Sequence, residues 1–189
     1  MRLLLLASAF TFSIAAQNVI DRVAVVIGTK AITESEVILE ARLTAFLNQQ
    51  PLDLSAGPRR AAADRLVDQQ LIRNEMQIGG YPMPPETEGD AALRKFRQEN
   101  YSSIPAFRAA LQKYDLTEEQ VKHHLLWQVA ALRFTDQRFH LMIPTPPTQS
   151  ADRVISGAAS TDGAEDPMDL WLKQARAGTR IQFKKEAFQ

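Results

Sequence analysis

The sequence predicts a mainly α-helical protein: a five-helix core with a small β-sheet that pairs an N-terminal hairpin with a strand near the C-terminal end. Three observations predict it. Apolar residues recur at three- and four-residue spacing in five successive stretches between residues 33 and about 134, the period of helices with one buried stripe. Two of those stretches open on capping boxes, Thr33-Glu34-Ser35-Glu36 and Thr117-Glu118-Glu119-Gln120. Two strand-like segments, Val19–Ile27 and Arg180–Phe183, stand alone in an otherwise helical chain. An unpaired strand edge is costly or sticky, and pairing Ile181–Phe183 with Val23–Ile27 removes both edges at once.

Residues 1–16 are set apart from the fold. One positive charge, an apolar run from Leu3 and small residues around Ser13 and Ala15 read as a secretory signal peptide cut near Ala15 or Ala16. The apolar run is too short to give a stable membrane span, and the expected location of the mature chain is the periplasm. Residues 17–143 form the predicted helical body. Gly28-Thr29-Lys30 turns the first strand into a short second arm, and such a ribbon must pack on helices to persist. The first helix runs from the Thr33 box to about Asn48, burying Leu39, Leu43, Phe46 and Leu47. The second runs from near Pro58 to Gly79-Gly80. Val67, Leu71 and Ile78 lie on one side of it and Ile72 and Met76 well round the axis, which predicts a central helix contacted from two sides.

Prolines 82, 84 and 85 break the chain before a third helix, Glu86 to about Gln98, with Leu93 and Phe96 inward. Ser103 caps a fourth with the stripe Ile104, Phe107, Leu111 and Tyr114. The fifth runs from the Thr117 box to Phe134 or beyond, with Val121, Leu125, Val129 and Leu132 as its narrow stripe and Glu118–Lys122 as an i,i+4 ion pair. His123, Trp127, Ala130 and Phe134 share a second side of this helix. They suit either contact with the first or last helix or one wall of an apolar peptide groove. Residues 144–165, rich in Pro, Ser, Thr, Gly and Ala, read as a linker. Residues 166–189 then supply a short helix opened by Pro167 and stopped by Gly178, followed by the closing strand.

Composition excludes several chemistries. The absence of cysteine removes disulfides, thiol catalysis and Cys-ligated metal. The 22 basic and 22 acidic side chains balance, giving no reason to expect nucleic acid as a partner. Adjacent histidines such as His123 and His124 point about 100° apart on a helix and do not chelate together. No serine-nucleophile motif and no phosphate-binding glycine loop is present. The expectation is therefore a protein without catalytic residues, cofactor or metal. Arg59-Arg60 and the Lys95/Arg97 region read as solvated helix faces, and Met76 as a core filler.

The order of segments resembles a known family. Residues 20–37 (IDRVAVVIGTKAITESEV), residues 66–76 (LVDQQLIRNEM), the region joining the fourth and fifth helices, and residues 169–183 (DLWLKQARAGTRIQF) resemble the N- and C-terminal parts of the SurA family of periplasmic chaperones and related exported parvulin-class isomerases. The resemblance implies a helical core completed by the C-terminal helix and strand, and an ATP-independent holding of unfolded outer-membrane proteins. Many members carry parvulin domains between these parts. Here residues 144–165 are far too few for one, and its glycine-rich signature and paired histidines are missing, so no isomerase site is carried over. The implied contacts for an extended client are rings and apolar groups on the first, fourth and fifth helices: Phe46, Phe107, His123, Trp127 and Phe134. The competing expectations are an exported assembly protein that binds one folded partner, or a homodimer that exchanges the C-terminal segment.

Overall fold

The computed structural model describes residues 21–139 and 166–189. The predicted signal peptide at 1–16 and the predicted linker at 144–165 lie outside the described residues, as do Val19 and Ile20 of the predicted first strand. Within the described residues the protein is mainly helical, with six α-helices and one three-stranded antiparallel sheet. The order is β1 (Val23–Ile27), β2 (Lys30–Thr33), α1 (Glu34–Leu47), α2 (Ala56–Gly79), α3 (Glu86–Asn100), α4 (Ile104–Lys113), α5 (Glu118–Phe139), α6 (Pro167–Ala177) and β3 (Ile181–Phe183). A 3₁₀ turn, Lys185–Phe188, follows β3.

The sheet order is β2-β1-β3, so β1 is central and joins the two ends of the described chain. Val25, Val26 and Ile27 stand opposite Phe183, Gln182 and Ile181, which is the pairing expected from the sequence. Gly28 N–H donates to the Arg180 carbonyl at 2.9 Å and Lys184 N–H to the Ala24 carbonyl at 2.8 Å, extending the seam at both ends. Ile27 pairs with Lys30 across a two-residue turn whose first residue, Gly28, sits at φ +56°, a conformation that a β-carbon disfavours. Ala24, Val25 and Ile27 are buried, so this strand is a core element despite its length.

Both capping boxes form. At the start of α1 the Thr33 hydroxyl accepts from Glu36 N–H at 3.4 Å, and the Glu36 carboxylate accepts from Thr33 N–H at 2.7 Å. Thr117 and Gln120 exchange the equivalent bonds at 2.8 and 3.2 Å. Asp21 adds a second tie at the first helix start, accepting from the Ser35 amide at 3.2 Å and from the Ser35 hydroxyl. The Ser35 hydroxyl bond, with Thr33 next, holds the Asp21 carboxyl below its ordinary pKa. Helix α2 begins at Ala56, two residues before Pro58. Ser55 holds the N-cap position without a side-chain capping bond, and the proline falls in the first turn, where its missing N–H has no intrahelical acceptor to lose. It ends on Gly80 at φ +68°.

The core has three clusters. The first packs the sheet, Val37 and Ala41 of α1, Ala62, Ala63, Val67 and Leu71 of α2, and Trp171 of α6. The second gathers around Phe46, whose ring meets Phe96, Tyr101, Phe107 and Tyr114 at centroid distances of 5.6, 6.0, 6.1 and 5.6 Å. The third holds Ile72 and Met76 against Trp127, Ala130, Phe134 and Phe139, with Trp171 again at its edge. Helix α2 is thus contacted from two sides, as its divided apolar pattern predicts, and Met76 is core.

Several sequence expectations need correction. On α5 the buried positions are Val121, Leu126, Trp127, Ala130, Phe134 and Phe139, while Leu132 of the predicted stripe is 52% exposed. The helix leaves one cluster and enters another along its length, so its inward face rotates and no single stripe describes it. Ile78 is 83% exposed because it lies past the packed part of α2, and Ile104 is exposed in the first turn of α4. Lys122 turns from Glu118 to Glu119 at 2.8 Å and to Glu86 and Asp90 of α3 at 3.7 and 3.9 Å. The Arg59-Arg60 pair is an anchor for the C-terminal segment. Arg59 donates to the Ala187 carbonyl at 3.1 Å, and the Arg60 guanidinium lies 3.4 Å from the centre of the Phe183 ring.

Candidate functional site

A cleft runs between α1, α2 and α5. Each helix presents one side to it through three- and four-residue spacing: Glu36, Leu39, Glu40, Leu43 and Leu47 from α1, and Leu66, Gln69 and Arg73 from α2. From α5 come Gln120, His123, His124, Trp127, Ala131 and Leu132. Two cavities of about 250 and 510 Å³ adjoin along it, sharing Glu40, Gln69, His124 and Trp127. Leucines and Trp127 supply apolar wall. Gln69, Gln120 and Gln128 supply amides able to meet a polypeptide backbone.

The floor is polar. Glu40 is 4% exposed and is the buried charged side chain among the described residues. Burial of an ion requires a partner. Arg65 Nε lies 3.1 Å from Glu40 Oε1, and Thr44 Oγ1 donates to the same oxygen at 3.5 Å. His124 Nδ1 stands 3.6 Å from Glu40 Oε2, and the Gln128 amide donates to His124 Nε2 at 3.3 Å, which leaves the ring proton on Nδ1, facing the carboxylate. Burial pushes the His124 pKa down. The Glu40 carboxylate opposes that, while the Arg65 and Arg73 charges add to it. His124 is therefore neutral at pH 7, and its contact with Glu40 is not a salt bridge at that pH.

This has a consequence for pH. A histidine whose folded pKa is lowered takes up its proton in the unfolded chain first, so stability falls as pH drops below the ordinary histidine value of about 6.5. The Asp21 and Glu119 carboxyls, whose pKa values are also lowered, release their contributions only in the acid range below their ordinary values of 3.8 and 4.5. Between pH 7 and about 5.5 the melting temperature should therefore decline, and His124→Asn should flatten that decline. Thermal melts at half-unit pH steps check this; parallel profiles for both proteins would contradict it.

The five residues proposed from the sequence do not come together as one wall. Phe46 and Phe107 are fully buried in the second cluster, and Phe134 is 1% exposed in the third, its ring 5.7 Å from Trp171. Large rings at these positions are spent on the protein's own core, so their place in the candidate set is corrected to packing. Trp127 is 5% exposed and belongs to the third cluster, yet lines both cavities, and His123 is exposed beside the smaller one. Leu66, Gln69, Arg73 and His124 were not anticipated as site residues, and Leu39 and Leu43 only as apolar groups of the first helix. One signal was available: Glu40 interrupts the apolar pattern of α1 while sharing its side with Leu43, Thr44 and Leu47.

Glu86, Glu119 and His123 bring one ligand atom each within 4.8 Å of one another, a grouping that needs α3 beside α5 and is invisible in sequence. All three are exposed, and the Lys122 ammonium already lies 3.7 Å from Glu86 and 2.8 Å from Glu119. No described helix is long and apolar enough to cross a membrane. No family model matches the chain, and no curated protein matches it.

Proposed function

We propose that the protein is an ATP-independent periplasmic chaperone of the holdase type, without isomerase activity, that carries unfolded or extended polypeptides in the cleft between α1, α2 and α5. Outer-membrane proteins in transit are the clients that the resemblance to the SurA family implies. The observation that carries the proposal is the cleft itself: two adjoining cavities in which leucines and Trp127 alternate with glutamine amides. Such a lining suits an extended chain, which offers apolar side chains and unsatisfied backbone groups together. Burial is worth about 25 cal/mol per Å² of apolar area, and the cost of ordering a flexible chain offsets much of it. The resulting weak binding lets a client leave without fuel.

The test is suppression of aggregation when an unfolded outer-membrane β-barrel protein is diluted from urea. An equimolar amount of this protein should keep it soluble. The variant Leu132→Asp, which charges an exposed residue of the larger cavity, should weaken that suppression without altering the protein's own melt. No suppression, together with no binding of peptides from the same client, would reject the proposal.

A further inference from the structure

We infer that the cleft selects client segments carrying an acidic side chain two residues from an apolar one, with the carboxylate docked on Arg73; this rests on the chaperone reading above. The charges lining the smaller cavity are accounted for except one. Glu40 is engaged by Arg65 at 3.1 Å. Glu36 accepts from the Thr33 amide at 2.7 Å within the capping box. His124 is held neutral. Arg73 has no carboxylate partner among the described residues. Its guanidinium carbon lies 3.9 Å from the centre of the Trp127 ring. Elsewhere in the protein, arginines at helix contacts do have one: Arg133 with Glu88 at 2.6 Å, Arg138 with Glu75 at 2.9 Å, Arg176 with Asp68 at 2.6 Å.

Stacking uses the face of the guanidinium and leaves its in-plane N–H groups to donate, the geometry that receives a carboxylate with two parallel bonds. The ring also fixes the arginine before a ligand arrives, which reduces the ordering cost of binding. Arg73 is exposed at the cleft while Trp127 covers one face of its guanidinium, so an arriving carboxylate can reach the in-plane N–H groups. Beside it Leu39, Leu43 and Leu66 line the same cavity. In an extended segment residues i and i+2 point to one side, roughly 7 Å apart, so one strand can place a carboxylate on Arg73 and an apolar side chain among the leucines. The second cavity continues the cleft past Trp127, which suits a chain running through and hence a side-chain carboxylate more than a chain terminus.

The experiment uses fluorescent peptides, blocked at both ends, that differ only by Glu or Gln two residues from a leucine. A third peptide carries Gln and a free C-terminal carboxylate. Binding is read by anisotropy with the wild-type protein and Arg73→Gln. Wild type should bind the Glu peptide about tenfold more tightly than the blocked Gln peptide. Arg73→Gln should abolish the difference between the two blocked peptides, whatever it does to their common affinity. Equal binding of the two blocked peptides by wild type overturns the inference and leaves the chaperone reading standing. Tight binding of the free-carboxylate peptide with no preference for Glu moves the contact to a chain terminus and also overturns it. Failure of every peptide to bind overturns the inference, and overturns the chaperone reading as well when aggregation is also not suppressed.

Discussion

Replacing Phe46 with alanine should lower the unfolding free energy by about 3–5 kcal/mol, the range for truncating a large ring in a packed core. Phe46 is fully buried and touches four other rings contributed by α3, the turn after it, α4 and the end of α4. One of these, Tyr114, is held in place because its hydroxyl donates to the Gln50 carbonyl at 2.7 Å. The walls therefore cannot collapse freely into the vacated space, and the cavity term adds to the lost transfer energy. Against a total stability of roughly 5–15 kcal/mol, this single change should populate unfolded chain at growth temperature. Urea unfolding followed by circular dichroism measures it, with Phe46→Leu as a milder comparison. A loss below about 1 kcal/mol would contradict the central place given to this ring.

Much of the fold is legible in the residues because the deciding signals are local. Thr33 with Glu36, and Thr117 with Gln120, set two helix starts through bonds that span three residues. Gly80 stops α2 because it occupies the left-handed region at φ +68°. The closure of the sheet follows from one non-local argument: the hairpin leaves one edge of β1 open, and the isolated C-terminal strand has only that edge to pair with. What fails is whatever depends on the partner. The face of α5 turns as its neighbours change from the Phe46 cluster to the Trp171 side, and periodicity within one helix carries no information about that change. Arg59 and Arg60 look like solvated charge until the C-terminal segment lies against them.

The candidate site is less legible for the same reason. A phenylalanine on a helix reads identically whether it faces a client or its own core, and here Phe46, Phe107 and Phe134 face the core. Trp127 and His123 remain at the cleft because of where α1 and α2 stand relative to α5. Arg73 carries no local mark at all; its significance comes from the Trp127 ring beneath it and the absence of a carboxylate nearby among the described residues.

The cleft depends on a body closed by its own C-terminal segment, because α6 packs on both α2 and α5, two of the three helices that form it. Ending the chain at residue 165 removes β3 from β1 and takes Trp171 from the rings of Phe134 and Phe139, 5.7 and 6.5 Å away. It also strips Asp64 and Asp68 of the Arg176 guanidinium, which lies 3.3 and 2.6 Å from them. Trp171 is only partly buried, so its loss alone costs less than the roughly 3–5 kcal/mol of a core ring, but the strand, the ring contacts and the ion pairs together approach the stability of a typical domain. The decisive measurement is urea unfolding of the shortened chain beside the full one, with a synthetic peptide of residues 166–189 then added back. The account predicts loss of the cooperative transition and its recovery on adding the peptide. An unchanged midpoint and slope in the shortened chain would contradict it.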